Sequence, residues 1–236
     1  MADILLIHGA SHGAWAWRDL IPELQALGHS PRALDLPGHG ANRLPPEEVT
    51  LERYVEAIKR ALGPRTMVVA HSMGGIPASL AADRAKDQVS RLVYLCAYAP
   101  QDGRSLVDIQ NEAEEQPLRA AIRLAEDRNS FTFADEALDQ ALYGHCTPEQ
   151  RAYARLNLCP QPISPPRERV SLSDTFGDLP KAYIRCRDDG VIPYAEQVKM
   201  SKICSEHAQF DMDSDHSPFF SHAKELASLL DRIAGG

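Results

Sequence analysis

A chain of 236 residues with 44% apolar and 25% charged positions has the composition of a folded globular protein, which excludes disordered and fibrous architectures. A net charge of −8, with no clustered Lys/Arg stripe, excludes a nucleic-acid partner, whose phosphates demand concentrated positive charge. No apolar run is long enough to cross a bilayer and no basic leader precedes Ile4, so neither a membrane partner nor an export signal is expected.

In chain order, Ile4-Leu5-Leu6-Ile7 is a continuous apolar run of the kind that forms a strand buried on both faces. A His/Gly-rich loop follows, then Trp17, Leu20, Ile21, Leu24 and Leu27 at helical spacing with Gly28 as the stop. A second strand is expected to end near Leu34-Asp35, before the turn Leu36-Pro37-Gly38-His39-Gly40. Leu51, Tyr54, Val55, Ile58 and Leu62 form a helical stripe that Thr50 is placed to cap, although Arg53 stands where a full capping box has Glu or Gln. Met67-Val68-Val69-Ala70 predicts a third strand and Leu92-Val93-Tyr94-Leu95 a fourth. The strand and helix rhythm then stops until Ala182-Tyr183-Ile184. From about 103 to 178 the chain turns helical, charged and proline-punctuated, with Gln161 to Pro166 irregular, which predicts a helical cap inserted after the fourth strand into a core made of residues 1–102 and 179–236. A helix over Glu196 to Ile203, a strand near Gln209-Phe210 and a helix through Ala223 to Ile233 complete the pattern. Alternating strands and helices of this kind predict an α/β fold, a mostly parallel sheet flanked by helices.

The third strand runs without a spacer into Ala70-His71-Ser72-Met73-Gly74, which fits the nucleophile elbow G-x-S-x-G with Ala in the first position. The spacing has a steric cause: a strand that turns at once into a helix strains the serine backbone, and small residues two before and two after avoid collision. A hydroxyl is a weak nucleophile near neutral pH and needs a base oriented by a third group. Where this elbow occurs, the partners follow in the order Ser, acid, His. His216, in the loop between the last strand and the closing helix, is the histidine in the required place. The acid is Asp188 or Asp189, with Asp189 the preferred candidate. For an oxyanion hole, one amide comes from the residue after the nucleophile, Met73, and a second from the loop after the first strand, for which Ala10 is the candidate. His8 and His12 stand four apart but lack further ligands or a glutamate base, and no Gly-rich phosphate loop follows a strand, so no metal and no cofactor is expected.

Taken together, Ile7 to Trp15, Asp35-Leu36-Pro37-Gly38-His39-Gly40, Ala70 to Gly75, Asp189-Gly190-Val191-Ile192-Pro193 and Asp215-His216-Ser217-Pro218 resemble the α/β-hydrolase superfamily. The resemblance is strongest to the group of plant methylesterases, hydroxynitrile lyases and bacterial esterase relatives. It implies a serine carboxylic-ester hydrolase and places the acid four residues before Pro193, at Asp189. The lyases of the group carry a hydroxyl or amide residue where this chain has Gly9, one branch has Lys where this chain has Ser217, and that branch has Glu where this chain has His71. Hydroxynitrile lyase chemistry with the same triad, or a non-catalytic ligand receptor on the same scaffold, are the competing readings. Gly9, Ser11 and His71 around the elbow, and Phe131, Phe133, Tyr143 and Tyr153 from the cap, are candidate substrate-contacting residues for a small or medium ester. Five cysteines without C-x-x-C spacing point to free thiols and a cytoplasmic address, and a homodimer stays open as an assembly.

Overall fold

The computed structural model describes residues 1–235. Among the described residues nine strands and nine helices follow in chain order, and six of the strands make the main sheet. β1 (Asp3–Ile7), β2 (Ser30–Leu34), β3 (Thr66–His71), β4 (Val89–Leu95), β8 (Lys181–Cys186) and β9 (Gln209–Met212) stand in the order β2-β1-β3-β4-β8-β9, and every neighbouring pair is parallel. β3 lies near the middle with all six residues buried, as its unbroken apolar run requires for a sheet covered on both faces. The chain leaves β1 to one side for β2 and returns on the other side for β3. Such a reversal opens a crevice at the carboxyl edge of the two strands, where open α/β sheets bind ligands.

The covering helices are α1 (Leu20–Ala26), α2 (Leu51–Ala61), α3 (Gly75–Arg84), α7 (Tyr194–Ser201) and α9 (Ala223–Gly235), with the short α8 (Pro218–Ser221) before the last. α2 buries Leu51, Tyr54, Val55 and Ile58 at the predicted spacing, and the Thr50 side chain accepts from the Arg53 amide at 3.2 Å as its cap. α1 ends before Gly28, whose φ of 83° suits a residue without a Cβ.

Between β4 and β8 the chain is more mixed than the helical cap expected from sequence. α4 (Leu106–Glu112), α5 (Asp135–Ala137, continued by a widened turn over Leu138–Leu142) and α6 (Pro148–Asn157) alternate with a three-stranded antiparallel sheet of β5 (Ile122–Leu124), β6 (Ser130–Phe133) and β7 (Gln161–Pro162). Strands of two to four residues are too short to display a period-two pattern, and Pro162 sits where a proline can stand in a sheet, at its edge. α4 and α6 carry full capping boxes instead, Ser105 with Asp108 and Thr147 with Gln150.

Leu6, in the centre of β1, has no exposed surface. Leu6→Ala should therefore cost about 3 kcal/mol through lost burial and a cavity, read in urea as a lower midpoint at unchanged slope. A cost below about 1 kcal/mol would show that the sheet centre can collapse around the missing atoms.

Candidate active site

Ser72 stands where β3 meets α3, on a short turn over Ser72–Gly74, with φ of 52°. A non-glycine residue in that region is strained by roughly 1–3 kcal/mol and persists only where its neighbours over-determine it. Close packing does so here. A Cβ at Gly74 would press on the His8 carbonyl oxygen, and one at Gly75 on the Tyr98 carbonyl oxygen, so the turn is seated against the ends of both flanking strands.

The His216 side chain bridges two groups, with Nε2 3.0 Å from Ser72 Oγ and Nδ1 2.7 Å from Asp189 Oδ2. A proton on Nδ1 donated to the carboxylate leaves the Nε2 lone pair for the Ser72 hydroxyl. Of the two adjacent aspartates, Asp189 points inward, with Oδ1 accepting from the Val191 and Ile192 amides at 2.7 and 2.9 Å. The Asp188 side chain is 58% exposed and approaches the half-exposed His145, which leaves Asp189 as the residue next to His216. Gln197, buried on α7, donates from Nε2 to Asp189 Oδ2 at 3.1 Å and spans Cys186 and Ile192 with its other bonds. Sequence reading missed this residue, because nothing in a polar helix segment marks one glutamine as buried.

The His216 loop is also held from behind. The buried His71 ring donates from Nε2 to the His216 carbonyl at 2.9 Å, and Asp215 accepts from the Ser217 amide, the Ser221 hydroxyl and the His145 amide of the inserted segment. Burial and the neighbouring imidazoles hold His71 well below the ordinary histidine range, so it serves as a neutral donor.

Under the site, His8 donates from Nδ1 to the Gly9 carbonyl (2.8 Å) and accepts the Leu36 amide at Nε2 (3.1 Å). His12 has its Nδ1 2.7 Å from the Ala10 carbonyl and its Nε2 2.8 Å from the Tyr143 hydroxyl. All four ring nitrogens are thus engaged, which removes the pair as metal ligands. A His71 ring nitrogen, Cys96 Sγ and a His216 ring nitrogen also lie within 4.8 Å of one another, but His71 and Cys96 both point at the His216 carbonyl and both His216 nitrogens are taken. Such a cluster fits a hydrogen-bonded layer better than an ion.

Above Ser72 opens a cavity of about 530 Å³, in the range of small-molecule sites. Ala10 and Met73 line it beside Ser72, and Leu106, Ile109, Phe131 and Phe133 give it an apolar wall. Phe131 and Phe133 thus stand where a substrate-contacting role requires. Tyr143 does not line it: the ring is fully buried with its hydroxyl on His12. Tyr153 packs instead on Trp15, under the Arg18 guanidinium. Gly9, Ser11 and His71 are likewise buried and do not line the cavity. Tyr98 and Gln110 are among the lining residues that escaped the sequence reading; burial pushes the Tyr98 phenol up to about 12, and its oxygen accepts from Gln110 Nε2 at 3.2 Å. The phenol therefore keeps its proton near neutrality.

A parallel sheet in this order, with a serine elbow after β3, an inward aspartate after β8 and a histidine after β9, all at the carboxyl edge, defines a hydrolase of the α/β class. The model of the alpha/beta hydrolase family matches residues 4–229, and the chain belongs to that family. Within it the chain falls in the methylesterase group. It is 32% identical to Methylesterase 7 of Arabidopsis thaliana over 98% of this chain and 95% of that protein. It is 29% identical to Methyl jasmonate esterase 1 of Vitis vinifera over 97% and 95%. Among solved structures, a pyrethroid hydrolase from Sphingobium faniae superposes with a TM-score of 0.87 at 23% identity, covering 100% of this chain and 98% of that one, which speaks to the fold. Polyneuridine aldehyde esterase likewise gives 0.87 at 21%, covering 99% of each chain. The methylesterase relatives support an esterase activity on this hydrolase scaffold.

A Cβ at Gly9 would lie 2.8 Å from both His71 Nδ1 and Ser72 Cβ, so Gly9→Ala should displace the serine and cut kcat by about 10- to 100-fold, with Ser72 labelling slowed in step. An unchanged kcat would mean that the floor yields without moving the serine. Burial lowers His12 from 6.5 to about 4, so between those values only the unfolded chain takes up the proton. Stability should be full above about pH 6.5 and fall as the pH drops toward 4, with buried His8, His39 and His71 adding in the same direction. Thermal melts across that window check this, and a midpoint that held constant or rose on acidification would contradict it.

Proposed function

We propose that this chain is a serine carboxylic-ester hydrolase that acts on small to medium esters through an acyl-enzyme on Ser72. The observation that carries the reading is the unbroken line from Asp189 through His216 to Ser72, at 2.7 and 3.0 Å, ending at a strained serine on the cavity floor.

In this mechanism Ser72 Oγ attacks the ester carbonyl carbon while its proton passes to His216 Nε2, and Asp189 stabilises the resulting imidazolium and holds the ring in place. The carbonyl oxygen, now an anion, sits against the Ala10 and Met73 amides, and donors of this kind are worth about 3 kcal/mol each. Collapse breaks the bond to the alcohol oxygen, which leaves with the proton from His216. Water then attacks the acyl-enzyme, gives its proton to His216, and the carboxylic acid departs as Ser72 recovers its hydrogen. The aliphatic and aromatic wall favours an apolar acyl or alcohol group, and the five free thiols favour a reducing compartment. Hydroxynitrile lyase chemistry is disfavoured by the packing at Gly9, which leaves no room for a side chain there.

The test compares the parent with Ser72→Ala and Asp189→Asn on p-nitrophenyl esters, together with a fluorophosphonate probe. The parent should turn over esters and be labelled at Ser72, Ser72→Ala should lose labelling, and both variants should lose roughly 10³-fold or more in kcat. Ester turnover that survives Ser72→Ala would overturn the proposal, and cyanohydrin cleavage without ester hydrolysis would replace it by the lyase reading.

A further inference from the structure

The loop between β1 and the turn at Ala14–Trp17 is held by its own His8 and His12 side chains and, from outside it, by Tyr143 and Gln161. Ala10 sits between two peptide units, the first held at its oxygen and the second at both of its polar atoms. The Gly9 carbonyl, which shares a peptide plane with the Ala10 N–H, accepts from His8 Nδ1 at 2.8 Å. Because that peptide is trans and planar, fixing its oxygen fixes the direction of the Ala10 N–H on the opposite side. The next unit is held at both ends: the Ala10 carbonyl accepts from His12 Nδ1 at 2.7 Å, and the Ser11 N–H donates to Gln161 Oε1 at 3.1 Å. Ser11 itself has φ of 62°, a conformation that neighbours must enforce, and its carbonyl accepts the Cys159 amide at 3.0 Å.

Two of the side chains in this arrangement come from the segment inserted between β4 and β8. Tyr143 follows the widened turn after α5, and its hydroxyl donates to His12 Nε2 at 2.8 Å; this selects the tautomer with hydrogen on Nδ1, the one that can donate to the Ala10 carbonyl. Burial holds His12 down to about 4, so the ring stays neutral and able to accept from Tyr143. Gln161, on β7, has no exposed surface, and every polar atom of its amide is used: Oε1 by the Ser11 amide and by His39 Nε2 (3.0 Å), Nε2 by Tyr54 Oη (3.2 Å) and the Pro162 carbonyl (3.0 Å).

We propose that Tyr143 and Gln161 are positioning residues for the oxyanion donor: the inserted segment, besides walling the cavity, aims the Ala10 N–H at the developing oxyanion through the His12 ring and the Ser11 amide. The inference rests on the esterase reading of Ser72. It predicts a loss confined to the transition state, because the ground-state ester is bound mainly by the cavity wall, whereas the oxyanion forms only as Ser72 attacks.

The experiment measures kcat and KM per active site, titrated with a fluorophosphonate so that only folded enzyme is counted. Parent, Tyr143→Phe, Gln161→Leu and Gln161→Glu are compared, the last keeping an acceptor toward the Ser11 amide. A trifluoromethyl ketone matched to the acyl group, which adds to Ser72 and places an oxyanion in the same position, supplies the second readout. Tyr143→Phe and Gln161→Leu should each lower kcat by about tenfold with KM within about twofold, ketone affinity should fall in parallel, and Gln161→Glu should regain most of the loss. Unchanged kcat in Tyr143→Phe, or a fall in kcat with ketone affinity intact, would overturn the inference. So would a Gln161→Glu no better than Gln161→Leu. If Gln161→Leu fails to fold, Tyr143→Phe, which removes a single oxygen, decides. Parent turnover through Ser72 with unaffected variants defeats this inference alone, while a parent without Ser72-dependent turnover defeats the esterase reading and this inference together.

Discussion

The rest of the site depends on one backbone constraint, the left-handed conformation of Ser72 at the crossing from β3 into α3. An extended or helical φ there would swing the hydroxyl into the sheet or along the helix. The strained value lifts it to the carboxyl edge and directs the first amides of the following turn to the same point. That conformation costs free energy, and the compensation comes from backbone packing: Gly74 lies against the His8 carbonyl at the end of β1, and Gly75 against the Tyr98 carbonyl beyond β4. The elbow is therefore locked to the two loops that carry the candidate oxyanion donor and a cavity-lining tyrosine, and a disturbance in any of the three is felt by the others.

Around that point the site is built almost entirely from neutral groups. His8, His12, His39 and His71 are buried and held below the usual histidine range by desolvation, so they act as fixed hydrogen-bond donors and acceptors rather than as charges. The buried carboxylate that bonds the His216 ring is Asp189, and it receives two backbone amides and the Gln197 amide in addition to the imidazole. A layer of this kind suits a reaction in which charge appears transiently at the substrate oxygen and at His216, because preoriented dipoles stabilise new charge without having to reorganise.

The parts of this arrangement that could be read from residues alone are those imposed by short-range sterics and periodicity. The elbow at Ser72, the runs of β1, β3 and β4 and the α2 stripe each obey a local rule, and each stands where that rule puts it. The choice between Asp188 and Asp189 is not local: both follow the same strand, and only the turn that brings the Val191 and Ile192 amides onto one of them separates the pair. The region between β4 and β8 was least legible, since strands of a few residues carry no period and the placement of Tyr143 and Gln161 is decided by partners more than a hundred residues away. Buried polar residues such as Gln161, Gln197 and Asp215 leave no mark in a sequence, because what makes them tolerable is the set of tertiary hydrogen bonds each one finds.

The central claim is that the ester's acyl group passes through Ser72. It is tested most directly by rapid acid quenching of the parent during turnover of a slowly deacylating aryl ester, followed by intact-mass measurement and peptide mapping. The account predicts a transient mass increase equal to the acyl group minus one hydrogen, located on the peptide that contains Ser72 and formed in a burst stoichiometric with active sites. Turnover with no such adduct, or an adduct mapped to another residue, would contradict it.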